Sequence, residues 1–289
     1  MNSLVTTVKP ICKDADGDGY FWWGIGPLNN DCGCPPGVQA DQEDCNDNDP
    51  LVGPYVTSVN NPDSLPLYSC SPNKCTKSRD QLVISGDTTW NGIKHLNRDI
   101  IINPGGKLNV HGQVYFCPGA KIIVKADAEL VLSGSDTINP PRLTSGCNSL
   151  WGGIEIWGDP TLSQDTASQG KVTILNGIIE NAVCGIQTQN SGYVPDGGGE
   201  VPFAGLPTGG IIDATKAVFR NNIVGVEIFP YRHANDPNKS QFTACTFKTT
   251  EMLLNNTLPA YGIKLSGVNK VNIMGCTFIN TGRKMSVIP

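Results

Sequence analysis

Charge is scarce in this sequence. Only 16% of its 289 residues are Asp, Glu, Lys or Arg, against about 25% in an ordinary soluble domain, and the cations form no stripe along the chain. Phosphate binding needs clustered Lys and Arg, so neither nucleic acid nor an anionic membrane surface is an expected partner. Long apolar runs are also lacking. No stretch reaches the roughly 18 consecutive apolar residues of a spanning helix, which excludes membrane insertion of that kind. Met1 to Pro10 has neither the charged start nor the apolar core of a secretory signal, so any export signal is expected to have been removed. His95, His111 and His233 are isolated, with no nucleophile at a readable spacing.

In place of charge the chain carries turn formers, with 33 Gly and 21 Pro, a composition of short strands and tight corners. Between Gly170 and Gly282 one short pattern returns four times. It reads KVTILNGIIENAVCGI from Lys171, IDATKAVFRNNIVGV from Ile212, FTACTFKT from Phe242 and VNIMGCTFINT from Val271. Aligned, the copies place Ile179, Phe219, Phe247 and Phe278 at one position, 40, 28 and 31 residues apart, and Asn181, Asn221, Thr249 and Asn280 two residues later. Strand-like alternation with connections of unequal length predicts an all-β parallel solenoid, each turn covering the next. The large residues should stack as a column. Asparagine tolerates the left-handed conformation of a tight corner, so Asn181, Asn221 and Asn280 should form a ladder of stacked amides. A β-sandwich with N-G and N-N turns is the alternative. In these repeats the sequence resembles the right-handed parallel β-helix family to which pectate lyases belong.

The first 63 residues differ from the rest: they hold ten acids against Lys9 and Lys13. Cys12, Cys32, Cys34, Cys45, Cys70 and Cys75 lie in or just after them among Pro, Gly and Asp, where no core forms without staples. Disulfides are therefore expected, and with them an extracellular or cell-surface setting. A zinc reading of Cys32 and Cys34 is weaker, because one residue separates them and no His lies near. Cys245 and Cys276 occupy one repeat position and are expected as buried, stacked thiols. Strands of adjacent coils sit about 4.8 Å apart, further than the roughly 3.8 Å between the β-carbons of a relaxed disulfide.

Asp14, Asp16 and Asp18 alternate before Gly19, and the carbonyl of Tyr20 adds an oxygen, so the loop converges several hard ligands on one point. An EF-hand would need Glu at the twelfth position, which is Ile25. Further ligands are available from Asp44, Asn46, Asp47, Asn48 and Asp49, inside a run of like charges that a cation would neutralise. Calcium suits a long flexible loop offering many oxygens better than magnesium does. These two pieces resemble the calcium loops of thrombospondin type 3 repeats and the D-x-D-G-D-G-Y … D-C-x-D-x-D-P motif of bacterial surface proteins. The resemblance implies one or more structural calcium ions.

The expected organisation is an acidic calcium-binding, thrombospondin type 3-like segment over 1–63, a Pro- and Ser-rich connector over 64–80, and the parallel β-helix over 81–289. Short β-branched strands around Pro-Gly and related turns, from Ile100 to Leu132, form the entry. Trp151-Gly-Gly-Ile-Glu-Ile-Trp157 and the following G-I coils resemble the large secreted β-helix proteins of the Bacteroidetes, which often use type IX secretion. Their C-terminal sorting domain is missing and no cap follows the fourth copy, so the chain is expected to be truncated at its C-terminus.

Catalysis finds little support in the residues. Glu155, Asp159, Glu180, Asp213 and Glu227 are the candidate acids, and Lys171, Arg142, Arg220 and Lys264 the candidate bases or clamps, but no N-T-D, D-D or G-H-G sequence of the polygalacturonase kind is present. Glu180 and Arg220 share a repeat position and read as a surface ion pair. The expectation is a non-catalytic surface, adhesive or structural module whose loops Gln187–Gly209 and Thr249–Ala260 bind polysaccharide or another surface protein. A polysaccharide lyase or glycoside hydrolase acting along the β-helix face stays open as the alternative, since fold alone does not give function.

Overall fold

The chain divides into two units, Met1–Cys75 and Thr76–Pro289. The structure, a computed structural model, describes residues 77, 79–134, 140–146, 149–189, 207–231, 233, 235–254 and 257–281. The candidate calcium ligands Asp14, Asp16, Asp18, Tyr20, Asp44, Asn46, Asp47, Asn48 and Asp49, and the six cysteines expected to pair, lie outside these residues.

Among the described residues twenty-one short strands wind in coils of three. The first coil is β1 (Gln81–Ile84), β2 (Asp87–Trp90) and β3 (Ile93–Leu96), and the second β4 (Asp99–Ile102), β5 (Lys107–Val110) and β6 (Gln113–Phe116). The third is β7 (Lys121–Val124), β8 (Glu129–Ser133) and β9 (Arg142–Ser145), and the fourth β10 (Trp151–Ile156), β11 (Lys171–Leu175) and β12 (Ile178–Glu180). Then come β13 (Ala182–Gln187), β14 (Ile211–Thr215) and β15 (Val218–Arg220), followed by β16 (Val224–Ile228), β17 (Gln241–Thr243) and β18 (Thr246–Thr249). The seventh coil is β19 (Tyr261–Leu265), β20 (Asn272–Met274) and β21 (Thr277–Asn280). Every third strand joins the same sheet, giving three parallel sheets of seven strands, led by β1, β2 and β3. This is the architecture of a parallel β-helix.

Alternation puts one set of side chains inside each coil. Ile100, Ile122, Ile154, Ile186 and Val226 form a buried column in the first sheet. Leu108, Leu130, Val172 and Ile212 do so in the second. In the third sheet the aligned residues stack as expected, with Ile179 on Phe219, Phe219 on Phe247 and Phe247 on Phe278. The Phe219 and Phe247 rings lie 4.7 Å apart at 2°, and those of Phe247 and Phe278 5.0 Å apart at 9°. Opposite them the first sheet carries glycine. A β-carbon on Gly225 would stand 3.0 Å from Phe247 and 2.4 Å from the carbonyl oxygen of Gly262, while one on Gly262 would meet Phe278 at 2.8 Å. The G-V and G-I steps of the repeat are thus the space into which the phenyl column fits.

The corners differ from expectation. Asn181 and Asn221 do adopt left-handed backbone, with φ of 57° and 53°, but Asn280 lies within β21, paired with Thr249. The amides do not stack. Asn181 Nδ2 donates to Thr144 Oγ1 at 3.2 Å and Asn221 Nδ2 to Glu251 Oε1 at 2.7 Å. After β18 the chain leaves through the 250–260 connection, so Thr249 continues its strand and the tight corner is lost. The side chain that does link coils is the neighbouring Asn222, whose Oδ1 accepts from Ala182 N at 2.8 Å and whose Nδ2 donates to the Ile179 carbonyl at 3.1 Å. A second left-handed column turns the chain from the second sheet to the third. It consists of Asn176, Lys216, Ala244 and Gly275, with φ of 56°, 53°, 53° and 62°.

Cys117, Cys184, Cys245 and Cys276 are free thiols. Cys245 is buried as expected, whereas Cys276, in the seventh coil, is partly exposed. Burial pushes the Cys117 and Cys184 thiols up to about 12 and that of Cys245 to about 11, which leaves them protonated and inert at neutral pH. If the ring column carries the third sheet, Phe247→Ala is expected to cost about 3–5 kcal/mol. Urea denaturation checks this, and an unchanged midpoint would count against the stack.

Candidate functional site

Outward positions follow the same registry as the core, so charged residues on adjacent coils meet in fixed rows. In the second sheet Lys107 and Lys171 flank Glu129 from either side, at 2.9 and 3.7 Å. Partial burial alone would raise the Glu129 carboxyl, but hydrogen bonds from Lys107 and Thr173 and the charges of both lysines outweigh it and hold the group below its ordinary range. In the first sheet Glu155 is buried and accepts from Lys121 Nζ at 2.7 Å, Trp157 Nε1 at 3.2 Å and Gln187 Nε2 at 3.3 Å. Glu227 follows one coil beyond Gln187 and pairs with Lys264 Nζ at 2.5 Å. That pairing, hydrogen bond first and charge second, raises the Lys264 ammonium above its usual value.

The third sheet holds a tighter arrangement. Glu180 and Arg220 are partners in the β12–β15 pairing, yet they are more than the surface ion pair expected. The Glu180 side chain is only 4% exposed beneath two guanidiniums. Arg220 Nε donates to Oε2 at 2.5 Å, Arg220 Nη2 reaches the same oxygen, and Arg142 Nη1 lies 3.3 Å from Oε1. Arg142 sits beside Ile178 rather than Glu180, which is why repeat alignment could not place it here.

Of the remaining candidate acids, Asp213 accepts from Gln241 Nε2 at 3.0 Å, and Asp159 caps a turn through Thr161 N at 2.8 Å and its Oγ1 at 2.6 Å. The five carboxylates fall on three different sheets and a loop. Only Glu155 and Glu227 share a row, with Gln187 between them. A hydrolytic pair needs two carboxyls facing one scissile bond with room between, and each of these is held by its own partner. Among the described residues no group of three or more His, Cys, Asp or Glu is placed to hold a metal.

Four long connections share one corner. The connections 157–170, 188–210, 229–240 and 266–271 all leave the first sheet for the second, and 250–260 runs from the third to the first. Sequence reasoning anticipated Gln187–Gly209 and Thr249–Ala260 as binding loops; residues 190–206, including the stretch from Tyr193 to Phe203, and residues 255 and 256 lie outside the described ones. It missed the polar clasp between the other loops. Gln164, 2% exposed, receives Lys239 N at 3.1 Å on its Oε1, donates its own backbone N–H to Asp236 at 2.7 Å and reaches the Gly209 carbonyl. Fully buried Gln169 donates to Asp159, Leu162 and Ser163 carbonyls, and Tyr231 Oη to that of Leu162 at 2.9 Å. Burial, then the charges of Asp236 and Asp165, push the Tyr231 hydroxyl up to about 12. Two glutamines in a connection without repeat pattern are the only trace of this clasp in the sequence.

Comparison of the chain with protein-family models, with curated proteins and with solved structures finds no match. The fold assignment rests on the strands themselves.

Because Glu129 is held low in the folded state, its contribution is present above the unfolded value of about 4.3 and lost as pH falls through the folded value. Glu129→Gln is expected to destabilise by well under about 1 kcal/mol at neutral pH, since the group is partly exposed and screened. Its deficit against the native chain should close as denaturation is repeated at steps below about pH 4; a pH-independent deficit would mean packing, not charge.

Proposed function

We propose that this chain is a non-catalytic extracellular module, a β-helical rod that presents loops to polysaccharide or to another surface protein. Its coils wind right-handed on this reading, as nearly all crossovers between parallel strands do. The observation that carries the proposal is the state of the outward carboxylates. Glu155, Glu180, Asp213 and Glu227, with Asp159 in its loop, are each engaged by a neighbouring cation, amide or hydroxyl, which is what stitching one coil to the next requires and what general acid-base chemistry does not leave free. Incubation with a panel of neutral and acidic polysaccharides is expected to give binding without new reducing or unsaturated ends. Release of such ends, lost in Glu155→Gln or Glu227→Gln, would establish the polysaccharide-cleaving alternative instead.

The same reading includes a calcium-stiffened N-terminal segment. Asp14, Asp16 and Asp18, the Tyr20 carbonyl, and oxygens from Asp44, Asn46, Asp47, Asn48 and Asp49 would supply the six to eight ligands that calcium takes, roughly. Without the ion nothing offsets the mutual repulsion of these acids, and a segment so poor in apolar residues loses its order. Calorimetric titration of chelator-treated protein with calcium should release or absorb heat, and protease should cut the N-terminal segment in chelator while leaving the solenoid intact. No heat, with identical digestion in calcium and chelator, leaves an acidic linker.

A further inference from the structure

The third sheet carries a positive row that the sequence did not reveal. In-register pairing places Glu180 beside Arg220 and Arg220 beside Lys248 on consecutive coils. Backbone registry prevents these side chains from moving apart by sliding, because a one-residue slip would turn the ring column outward. Both oxygens of Glu180 are already committed to Arg142 and Arg220, so one negative charge is shared between two guanidiniums. Among the described residues Lys248 has no ion pair, and its other neighbours on the outer face, Thr246, Thr277 and Ile279, are neutral. Arg142, Arg220 and Lys248 outnumber Glu180 by two in a chain of net −5, and the one carboxylate just past β18, that of Glu251, is engaged by Asn221 Nδ2 at 2.7 Å.

The row is also prepared to receive an anion. Each guanidinium has five N–H donors, and Glu180 uses two from Arg220 and one from Arg142. The arginine side chains remain 28% and 30% exposed, so each fork keeps solvent-accessible surface while the buried carboxylate fixes its position; Arg142 Nε itself is buried and takes no part. A fork held in place loses little freedom when it binds, and its geometry matches carboxylate and sulfate oxygens. From Arg142 on the third coil to Lys248 on the sixth is three coil steps, roughly 14 Å at strand spacing. One small ion cannot span that distance.

We propose that Arg142, Arg220 and Lys248 form a binding row for a linear acidic polysaccharide lying along the coil axis, its carboxylate or sulfate groups bridging successive coils. This names the ligand class of the module proposed above but places it on the third sheet rather than on the loops, so the two can fail separately.

The test is equilibrium titration of the full chain with dextran sulfate, with a polyuronate and with unmodified dextran at low ionic strength. Binding of at least one acidic polymer, weakened by added salt, and none of dextran, is expected; which acidic polymer binds more tightly tells sulfate from carboxylate. Lys248→Gln, which breaks no ion pair, and Arg220→Gln with Lys248→Gln should each reduce affinity, the double variant by about tenfold or more, while thermal midpoint and circular dichroism confirm folding. Glu180→Gln, where it folds, should bind more tightly because a competing charge is gone. Lys107→Gln with Lys171→Gln removes the same charge from the second sheet and should leave affinity unchanged. The row is overturned if neither acidic polymer binds, if the second-sheet variant loses as much affinity as the third-sheet one, or if dextran binds equally well; in the last case carbohydrate presentation stands and only the charged row falls.

Discussion

Parallel pairing in register is the constraint on which everything else in this solenoid depends. Adjacent coils are separated by one strand spacing, about 4.8 Å, so each side chain lies against the residue at the same place in the next coil. Apolar residues gain from that arrangement, as the isoleucines of the first sheet and the rings of the third show. Charged residues tolerate it only when signs alternate. Asp87, Lys107, Glu129 and Lys171 do alternate along the second sheet. Arg220 and Lys248 do not, and the imbalance has no means of dispersing.

Shape obeys the same registry across the core. The phenyl column of the third sheet demands the glycines that face it from the first. Phe219 in the fifth coil accompanies Ala214 on the second sheet, and the coil beyond places Phe242 where Ala214 stood. The rings of Phe219 and Phe242 then meet edge to face at 6.5 Å. Bulk withheld in one coil is supplied by its neighbour, an interlock that repeats of identical sequence could not achieve.

Legibility in the sequence followed how often a physical requirement leaves the same residue behind. The ring column was readable because four copies present a large apolar residue at one position, and the register Ile179–Phe219–Phe247–Phe278 is the one the structure has. The left-handed column Asn176, Lys216, Ala244 and Gly275 was not readable, since four unrelated residues satisfy one backbone demand. Asn280 misled for the opposite reason: it aligns with corner asparagines but lies inside β21, paired with Thr249. The Glu180–Arg220 contact was legible from repeat position, whereas Arg142 arrives from a different position and reaches across. Gln164 and Gln169 carry no pattern at all, because their partners are backbone groups brought near only by folding. The candidate calcium ligands belong to a part of the chain where composition and spacing speak and the described structure does not.

The placement of four long connections at one corner bears on how such a molecule changes over evolutionary time. A connection leaving the first sheet and returning to the second begins and ends at strands already held by the coils above and below, so its length is hidden from the core. The closing entropy of a surface loop grows only slowly with its length. Four successive coils exploit that freedom differently, from the six-residue span 266–271 to the much longer 188–210. Insertion and deletion at that edge can remake the outline shown to other molecules without shifting the columns of the core, and the 250–260 connection, after which Phe247 still stacks on Phe278, shows the third-to-first corner accepting one as well.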